Sequence, residues 1–451
     1  MKSFHFHLQS YRSHKKRLIV PKSVYPYLKQ VQTILYGNRS CPVEIMTHQK
    51  DEDHLFFSKK IMEDLHLYEQ ETVSCYVEGE ALLVQPLLGV FTAGFESETD
   101  TPLGDRTQVF EAMAVTGQSY GFDTIFFGHQ HINTEEDTVT GLTFRDGSWL
   151  FQTSPIPYVI YNRVPNRKTE NHPAIKHVKQ VLQSSTIWFN DGFFNKWKTY
   201  DQLIQSGKVA HLLPPTTLHP SKEKLTSLLQ QHGSIYIKPI HGSKGTGILK
   251  CTLVEEDVVE CMYYVQEKKI HQRYYDMNHL MEQQFPSGTQ GYIAQPSIPL
   301  HTLRSSPMDY RVHTNKNERN EWEVTAVCTK FAGKGSVTTH VKRGGSLHTL
   351  TELFDDKESQ VIFTKLERAA LLVSKALEEK TSGTLGEIGF DFGIDNEGKV
   401  WLFEANSKPG FAIYDHPSFH EEQSVILSYP YRFARHLYLE RLQAKQPLSL
   451  H

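Results

Sequence analysis

Two carboxylates and a carboxamide late in the chain have the spacing of a hard-metal site. Residues 387–395 and 399–406 read as two antiparallel strands joined by a turn at Asn396, Glu397 and Gly398. Asp391 falls on the first strand, Glu404 and Asn406 on the second. Side chains alternate along a strand, so Glu404 and Asn406 are expected on the face of Val400 and Leu402, with Asp391 able to point the same way. Such an all-oxygen set suits Mg2+, which takes a few protein oxygens and completes its shell with phosphate and water. A merely solvated hairpin face explains poorly why Glu404 and Asn406 end a strand as apolar as residues 400–403.

A glycine loop could supply the phosphate side. Residues 235–239 read as a strand that delivers Lys238. Gly242, Ser243, Lys244, Gly245, Thr246 and Gly247 follow, and a second strand starts at Ile248. Glycines let backbone N–H groups approach phosphate oxygens and tolerate positive φ. The order matches neither the Gly-Lys-Ser/Thr loop nor the Gly-x-Gly-x-x-Gly turn, and taken alone it serves equally well as an ordinary hairpin. Lys196, Lys238, Arg311, Lys330 and Arg343 add cations, each in or beside a predicted strand or glycine turn. Singly, such residues are usually surface charges. Together with the acidic set they describe a clamp for a triphosphate and its metal, as phosphoryl transfer requires.

These residues need a scaffold, and 451 residues are too many for one core. Residues 1–85 carry short β-prone pieces at 17–20, 43–46, 72–77 and 81–84, with one short helix over 58–67. They predict a small barrel or sandwich without a catalytic constellation. Residues 86–185 alternate: strand 87–92, helix 106–120, strand 123–127, a hairpin of 142–144 and 149–152 turning at Asp146 and Gly147, strand 158–161, helix 173–183. That alternation predicts an α/β layer with a mostly parallel sheet. Residues 186–451 hold the chemistry. Leu366, Ala370, Val373 and Leu377 mark the core face of a long helix, and an aromatic-rich helix over 420–445 is expected to dock on the body.

Bulk properties exclude several functions. A net charge of -3 argues against a general nucleic-acid binder. No apolar run approaches the ~20 residues of a membrane span, and no leader peptide is visible, so neither a membrane nor an export partner is expected. The scattered Cys41, Cys75, Cys251, Cys261 and Cys328 form no Cys-x-x-Cys pair, which fits a reduced cytoplasm better than a disulfide framework or a zinc site.

The order Lys196, Lys238, glycine loop, Arg311, Lys330, Arg343-Gly344-Gly345, Asp391, Glu404-x-Asn406 resembles the ATP-grasp superfamily over about 186–409, with 86–185 resembling the α/β domain that precedes it. It is most similar to the glutathione synthetase and ribosomal-protein glutamate-ligase branch, and to D-alanine–D-alanine ligase at the metal site. Over the whole length, including Tyr161-Asn162-Arg163-Val164-Pro165 and Asn406-Ser407-Lys408-Pro409-Gly410, it resembles the YheC/YheD group of endospore coat-associated proteins. The resemblance implies a mixed α/β and α+β architecture: an ATP-grasp fold preceded by a small α/β domain and an N-terminal small β module.

Site roles follow from the same resemblance. Lys196 and Lys238 would meet the nucleotide phosphates, with Lys238 also near the adenine. Ser243, Lys244, Gly245, Thr246 and Gly247 would close over the β- and γ-phosphates. Ile293, Ala294, Gln295, Pro296, Ser297 and Ile298 would form the hinge strand that reads adenine. Asp391, Glu404 and Asn406 would hold Mg2+, while Arg311, Lys330 and Arg343 would act on the transferred phosphate. Two positions depart from the pattern: Gln295-Pro296 where many relatives carry a hinge Glu, and Gly389 where D-alanine–D-alanine ligases carry an Arg.

The implied activity is an ATP- and Mg2+-dependent carboxylate–amine ligase acting through an acyl-phosphate, with carboxylate and amine substrates that no residue identifies. A non-catalytic nucleotide-binding protein of the spore coat is the alternative. A kinase or carboxylase of the same fold comes third, since no biotin-carrier segment is visible. The family implies the mother-cell cytoplasm and coat proteins as partners.

Overall fold

The computed structural model describes residues 2–49, 53–97, 100–241, 247–265, 268–303, 306–331, 346–411, 417–419 and 423–443. Its first sheet is one continuous path of eight strands. Lys2–Tyr11 lies inside it, parallel to His54–Ser58 and antiparallel to Gln70–Glu78. Both halves of the path contribute to one core, with Ile34, Leu82 and Val84 from one half beside Leu18, Val20 and Phe57 from the other. Among the described residues no pairing joins its edge strands Arg39–Pro42 and Glu44–His48 into a closed barrel. Phe6, Leu8, Leu18, Val20, Leu55 and Phe57 share its core.

The second sheet contains the parallel layer that the alternation predicts, but only half of its pairings are parallel, the strands beyond Asp123–Phe127 pairing antiparallel. Leu87–Phe91 runs parallel to Asp123–Phe127 on one side and to Val159–Asn162 on the other, and Ile187–Phe189 extends it. Helix Thr107–Ser119 covers one face with Phe110 and Met113. Helix Pro173–Leu182 covers the other with Ile175 and Val178. Cover on both faces explains why Leu87–Phe91 and Asp123–Phe127 are buried throughout. The hairpin of Thr138–Arg145 and Ser148–Pro155 turns at Asp146 (φ 50) and Gly147 (φ 75), the two left-handed residues of a type I′ turn.

Two further sheets frame a cleft. One runs in the order Thr217–Leu218, Tyr292–Pro296, Ser234–Pro239, Leu249–Leu253, Val259–Val265, Lys268–Tyr274, with all its pairings antiparallel. The other has the order Ser346–His348, Trp322–Phe331, Ser306–Lys316, Glu387–Ile394, Val400–Asn406. Helix Asp356–Lys380 backs the second, and Leu366, Ala370, Val373 and Leu377 are all buried in that contact. The last helix, Gln423–Gln443, docks on the parallel layer. There the Tyr431 hydroxyl bonds to Met113 O at 2.8 Å, and its ring sits 2.6 Å from where a Cβ on Gly117 would fall.

Candidate nucleotide and metal site

The carboxylate hairpin is not a regular ladder. Asp391 stands opposite Glu404 and Gly389 opposite Asn406, but Phe392 stands opposite Leu402. Phe403 is therefore an extra residue, a β-bulge that reverses the alternation. Val400 and Leu402 go into the core with Phe390 and Phe392. Glu404 and Asn406 emerge on the face of Asp391 instead. The expectation that they share a face with Val400 and Leu402 is corrected accordingly. A regular ladder continued from Leu402 would put Glu404 opposite Phe390, a carboxylate in an apolar core.

Neighbouring strands bring cations to this face. Arg311 stands opposite Asp391, and Asp309 opposite Lys330. Arg311 Nε lies 3.1 Å and Lys330 Nζ 2.6 Å from the same Asp391 Oδ1. Burial alone would raise the pKa of Asp391, but these two positive charges outweigh it and hold the carboxyl at about 2. Lys196 opens helix Lys196–Ser206, whose N-terminus is capped by the Asn195 side chain accepting from Lys198 N–H at 3.0 Å. That start aims Lys196 Nζ to within 2.6 Å of Glu404 Oε1. Each carboxylate is thus met by a cation, while the Asn406 carboxamide has no hydrogen-bond partner among the described residues.

Lys238 arrives from the facing sheet. Its Nζ donates to Gln295 Oε1 at 2.8 Å, and Gln295 Nε2 donates to Thr216 Oγ1 at 2.9 Å. Its ammonium also lies 5.4 Å from the Tyr236 ring centre and 5.8 Å from that of Phe403. Desolvation first, then the charge of Lys196, push its pKa down to about 8 against the pull of Glu404, Asp309 and Asp391. A desolvated cation whose direct hydrogen-bond partner is a neutral amide favours an incoming anion. Gln295 and Pro296 end the strand Tyr292–Pro296, opposite Tyr236 and Ile235. Ser297 continues the pairing through its N–H to Ser234 O at 2.9 Å, and Ile298 lies past the strand. Gly247 has φ +74, and a Cβ there would stand 3.2 Å from Pro239 Cγ, so glycine is required where the loop closes. Ser243, Lys244, Gly245, Thr246 and Arg343 lie outside the described residues.

Over residues 185–437 the sequence matches the YheC/D-like ATP-grasp family. The chain belongs to that family. It is 35% identical over 408 residues to the endospore coat-associated protein YheD of Bacillus subtilis (strain 168), covering 89% of this chain and 90% of the relative. With the endospore coat-associated protein YheC of the same strain it shares 22% over 338 residues, 73% of this chain and 92% of the relative. Among solved structures it is similar to the VanG D-Ala:D-Ser ligase from Enterococcus faecalis, at 13% identity and TM-score 0.46 over 78% of this chain and 99% of that one.

Two polar clusters of this YheC/D-like chain hold the carboxylate hairpin in place; the sequence pointed to Arg163 only as part of a motif and to Asn190 not at all. Asn190, wholly buried at φ 56, accepts the N–H groups of Gly386 (2.9 Å) and Glu387 (3.1 Å) and donates to Glu387 O (2.6 Å) and to Ser407 O. It thereby ties both strands of the carboxylate hairpin to the turn after Ile187–Phe189. Arg163 Nη1 lies 3.1 Å from Glu387 Oε2, Arg163 Nη2 donates to Pro409 O at 2.8 Å, and the Tyr161 hydroxyl donates to the same Glu387 oxygen. Burial raises the Glu387 pKa, and Arg163 opposes it. The two motifs that carried the whole-length resemblance therefore touch each other. Gly389 is explained as well: a Cβ there would fall 2.5 Å from Pro409 Cβ and 3.4 Å from Arg311 Nη1, so no side chain fits and Arg311 fills the adjacent space. Asp309, passed over in the sequence, contributes charge beside Lys238.

Proposed function

We propose that the chain is an ATP- and Mg2+-dependent carboxylate–amine ligase. One observation carries the reading: the Phe403 bulge delivers Asp391, Glu404 and Asn406 to a single face ringed by Lys196, Lys238, Arg311 and Lys330. The donor set fits Mg2+. Among the described residues no three His, Cys, Asp or Glu side chains gather. Two carboxylates and a carboxamide oxygen with no partner among the described residues are what an ion that leans on phosphate oxygens needs. When bound, Mg2+ would neutralise charge on the phosphates.

The chain's own residues would do the rest. Lys196 and Lys238 would hold phosphates, and the backbone at Gln295 and Pro296 would border the base. Arg311 and Lys330 would stabilise the transferred phosphoryl group and the acyl-phosphate it forms on a substrate carboxylate. An amine would then displace phosphate to give the amide. The test is ADP release with pooled amino acids and dicarboxylates, read by mass spectrometry for a new amide. Wild type that binds ATP yet forms no product with any mixture would favour a non-catalytic nucleotide-binding protein of the coat. The name of the YheD relative supports a coat setting, reached from the mother-cell cytoplasm. A fluorescent fusion absent from spores would remove that part alone.

A further inference from the structure

Beside the phosphate and metal cluster lies a cavity of about 290 Å3 that none of the roles above uses. It opens where the first turn of helix Thr107–Ser119, the segment after Val159–Asn162 and the segment after Val400–Asn406 meet. Arg106, Arg163, Lys408, Gln108, Pro409 and Phe411 line it. Three of these are cations. Arg163 is matched by Glu387, and Lys408 by Glu170 at 2.6 Å. Arg106 differs. Its guanidinium donates to Thr92 Oγ1 at 2.6 Å and to Ala93 O, both neutral, and it has no ion-pair partner among the described residues. Burial, then the like charge of Arg163, lower its pKa against the smaller pull of Asp105 and Glu96. Asp105, the one acid on the rim, is exposed. The cavity therefore holds one partly buried guanidinium with no direct ion pair among the described residues, its charge offset only at longer range by Asp105 and Glu96, an arrangement that an incoming anion improves. The adjoining helix start has no side-chain cap, which also favours negative charge.

The cavity's location suggests which anion. Pro409, one of its walls, packs on Gly389, and Arg163 reaches Glu387 on the strand that carries Asp391. Glu387 and Asp391 are separated by roughly 13 Å of extended strand. A linear molecule long enough to span that distance could have one end here and the other at the phosphates. We infer that this cavity anchors an oxyanion group, a carboxylate or a phosphate ester, of the substrate whose other end is activated. Its assignment to the substrate rests on the ligase reading; the anion site itself does not.

Isothermal titration with succinate, inorganic phosphate and neutral succinamide tests it, with ATP titrated in parallel and melting curves to confirm folding. Succinate or phosphate should bind wild type and succinamide should not, and whichever anion binds more tightly names the source. Arg106→Gln should weaken that anion about ten- to hundredfold while ATP affinity holds. Gln108→Glu, on an exposed helical position, should weaken it too by adding a like charge, and serves if Arg106→Gln does not fold. The proposal is overturned if neither anion binds, if succinamide binds equally, if both variants bind as wild type, or if ATP affinity falls together with the anion's. Failure of ATP to bind, with anion binding still sensitive to Arg106, would remove the ligase reading and leave the anion site standing.

Discussion

Strand Glu387–Ile394 carries an acid in each of two ion clusters, and the clusters are built differently. At Glu387 the pair with Arg163 is closed: the side chains are 3% and 6% exposed, and Arg163 Nη2 donates to Pro409 O. At Asp391 the pairs are open. Arg311 and Asp391 are 23% and 15% exposed, Lys196 and Glu404 17% and 29%, and Asn406 beside them is unpartnered among the described residues. In the closed cluster the protein supplies every partner, so a missing member leaves a buried charge with no replacement. In the open cluster the partners are flexible cations facing a cleft, which a phosphate or a metal can take over. Ion pairing alone does not separate scaffold from site; the ease of exchanging the partner does.

The largest expected effect breaks the closed cluster. Glu387→Gln should strand Arg163 and cost about 3–5 kcal/mol of stability, measured by denaturant unfolding. An unfolding midpoint equal to wild type would erase the distinction between the clusters. Glu404→Gln attacks the open one. It should leave the unfolding midpoint close to wild type and lower turnover roughly a hundredfold or more, the scale of losing a preorganised charge stabiliser. Equal damage to stability and turnover would show that this cluster is structural too.

Two smaller effects sharpen the contrast. Lys238→Ala should weaken ATP by about ten- to hundredfold, the loss of a charge-assisted contact of about 1.5–3 kcal/mol, in calorimetry on folded protein. Unchanged affinity would move the nucleotide elsewhere. The last effect is pH-dependent. Lys238 is held at about 8 in the free protein. Bound phosphates favour its ammonium, so ATP binding should take up a fraction of a proton just above pH 8, and affinity should fall as pH rises through that value. Titrations in two buffers of different ionisation enthalpy read the uptake, which Lys238→Ala should abolish; uptake that persists in the variant belongs to another group.

Local pattern made much of this legible. The strand before the glycine loop, the apolar stripe on helix Asp356–Lys380 and the turn at Asp146 and Gly147 are all short-range signals. The carboxylate hairpin was visible, but its facing was not. Strict alternation has no place for the extra Phe403, and nothing in residues 400–406 announces a bulge. Strand Lys2–Tyr11 was overlooked although Phe4, Phe6 and Leu8 alternate with His5, His7 and Gln9, the period-2 signal of a half-buried strand. Asn190 was missed, and Arg163 was noted only as part of a motif without a role, for another reason. Their partners at Glu387 lie 197 and 224 residues away, beyond any local pattern, and both read as ordinary polar residues after a strand.

Helix Gln423–Gln443 has a consequence for synthesis. Tyr438 bonds to Leu87 O at 2.8 Å, Tyr431 to Thr124 Oγ1 at 2.8 Å, and Arg441 to Gly37 O at 2.6 Å, so this late segment seals a layer made far earlier. Leu88, Val90 and Phe126 share their core with Tyr431, Phe433 and Leu437. A ribosome at ~5–20 residues per second reaches that helix about 10–50 s after finishing the sheet it covers. Throughout that interval the part of this core that helix Thr107–Ser119 does not cover stays open to the cell, and a message broken before codon 423 would release it in that state.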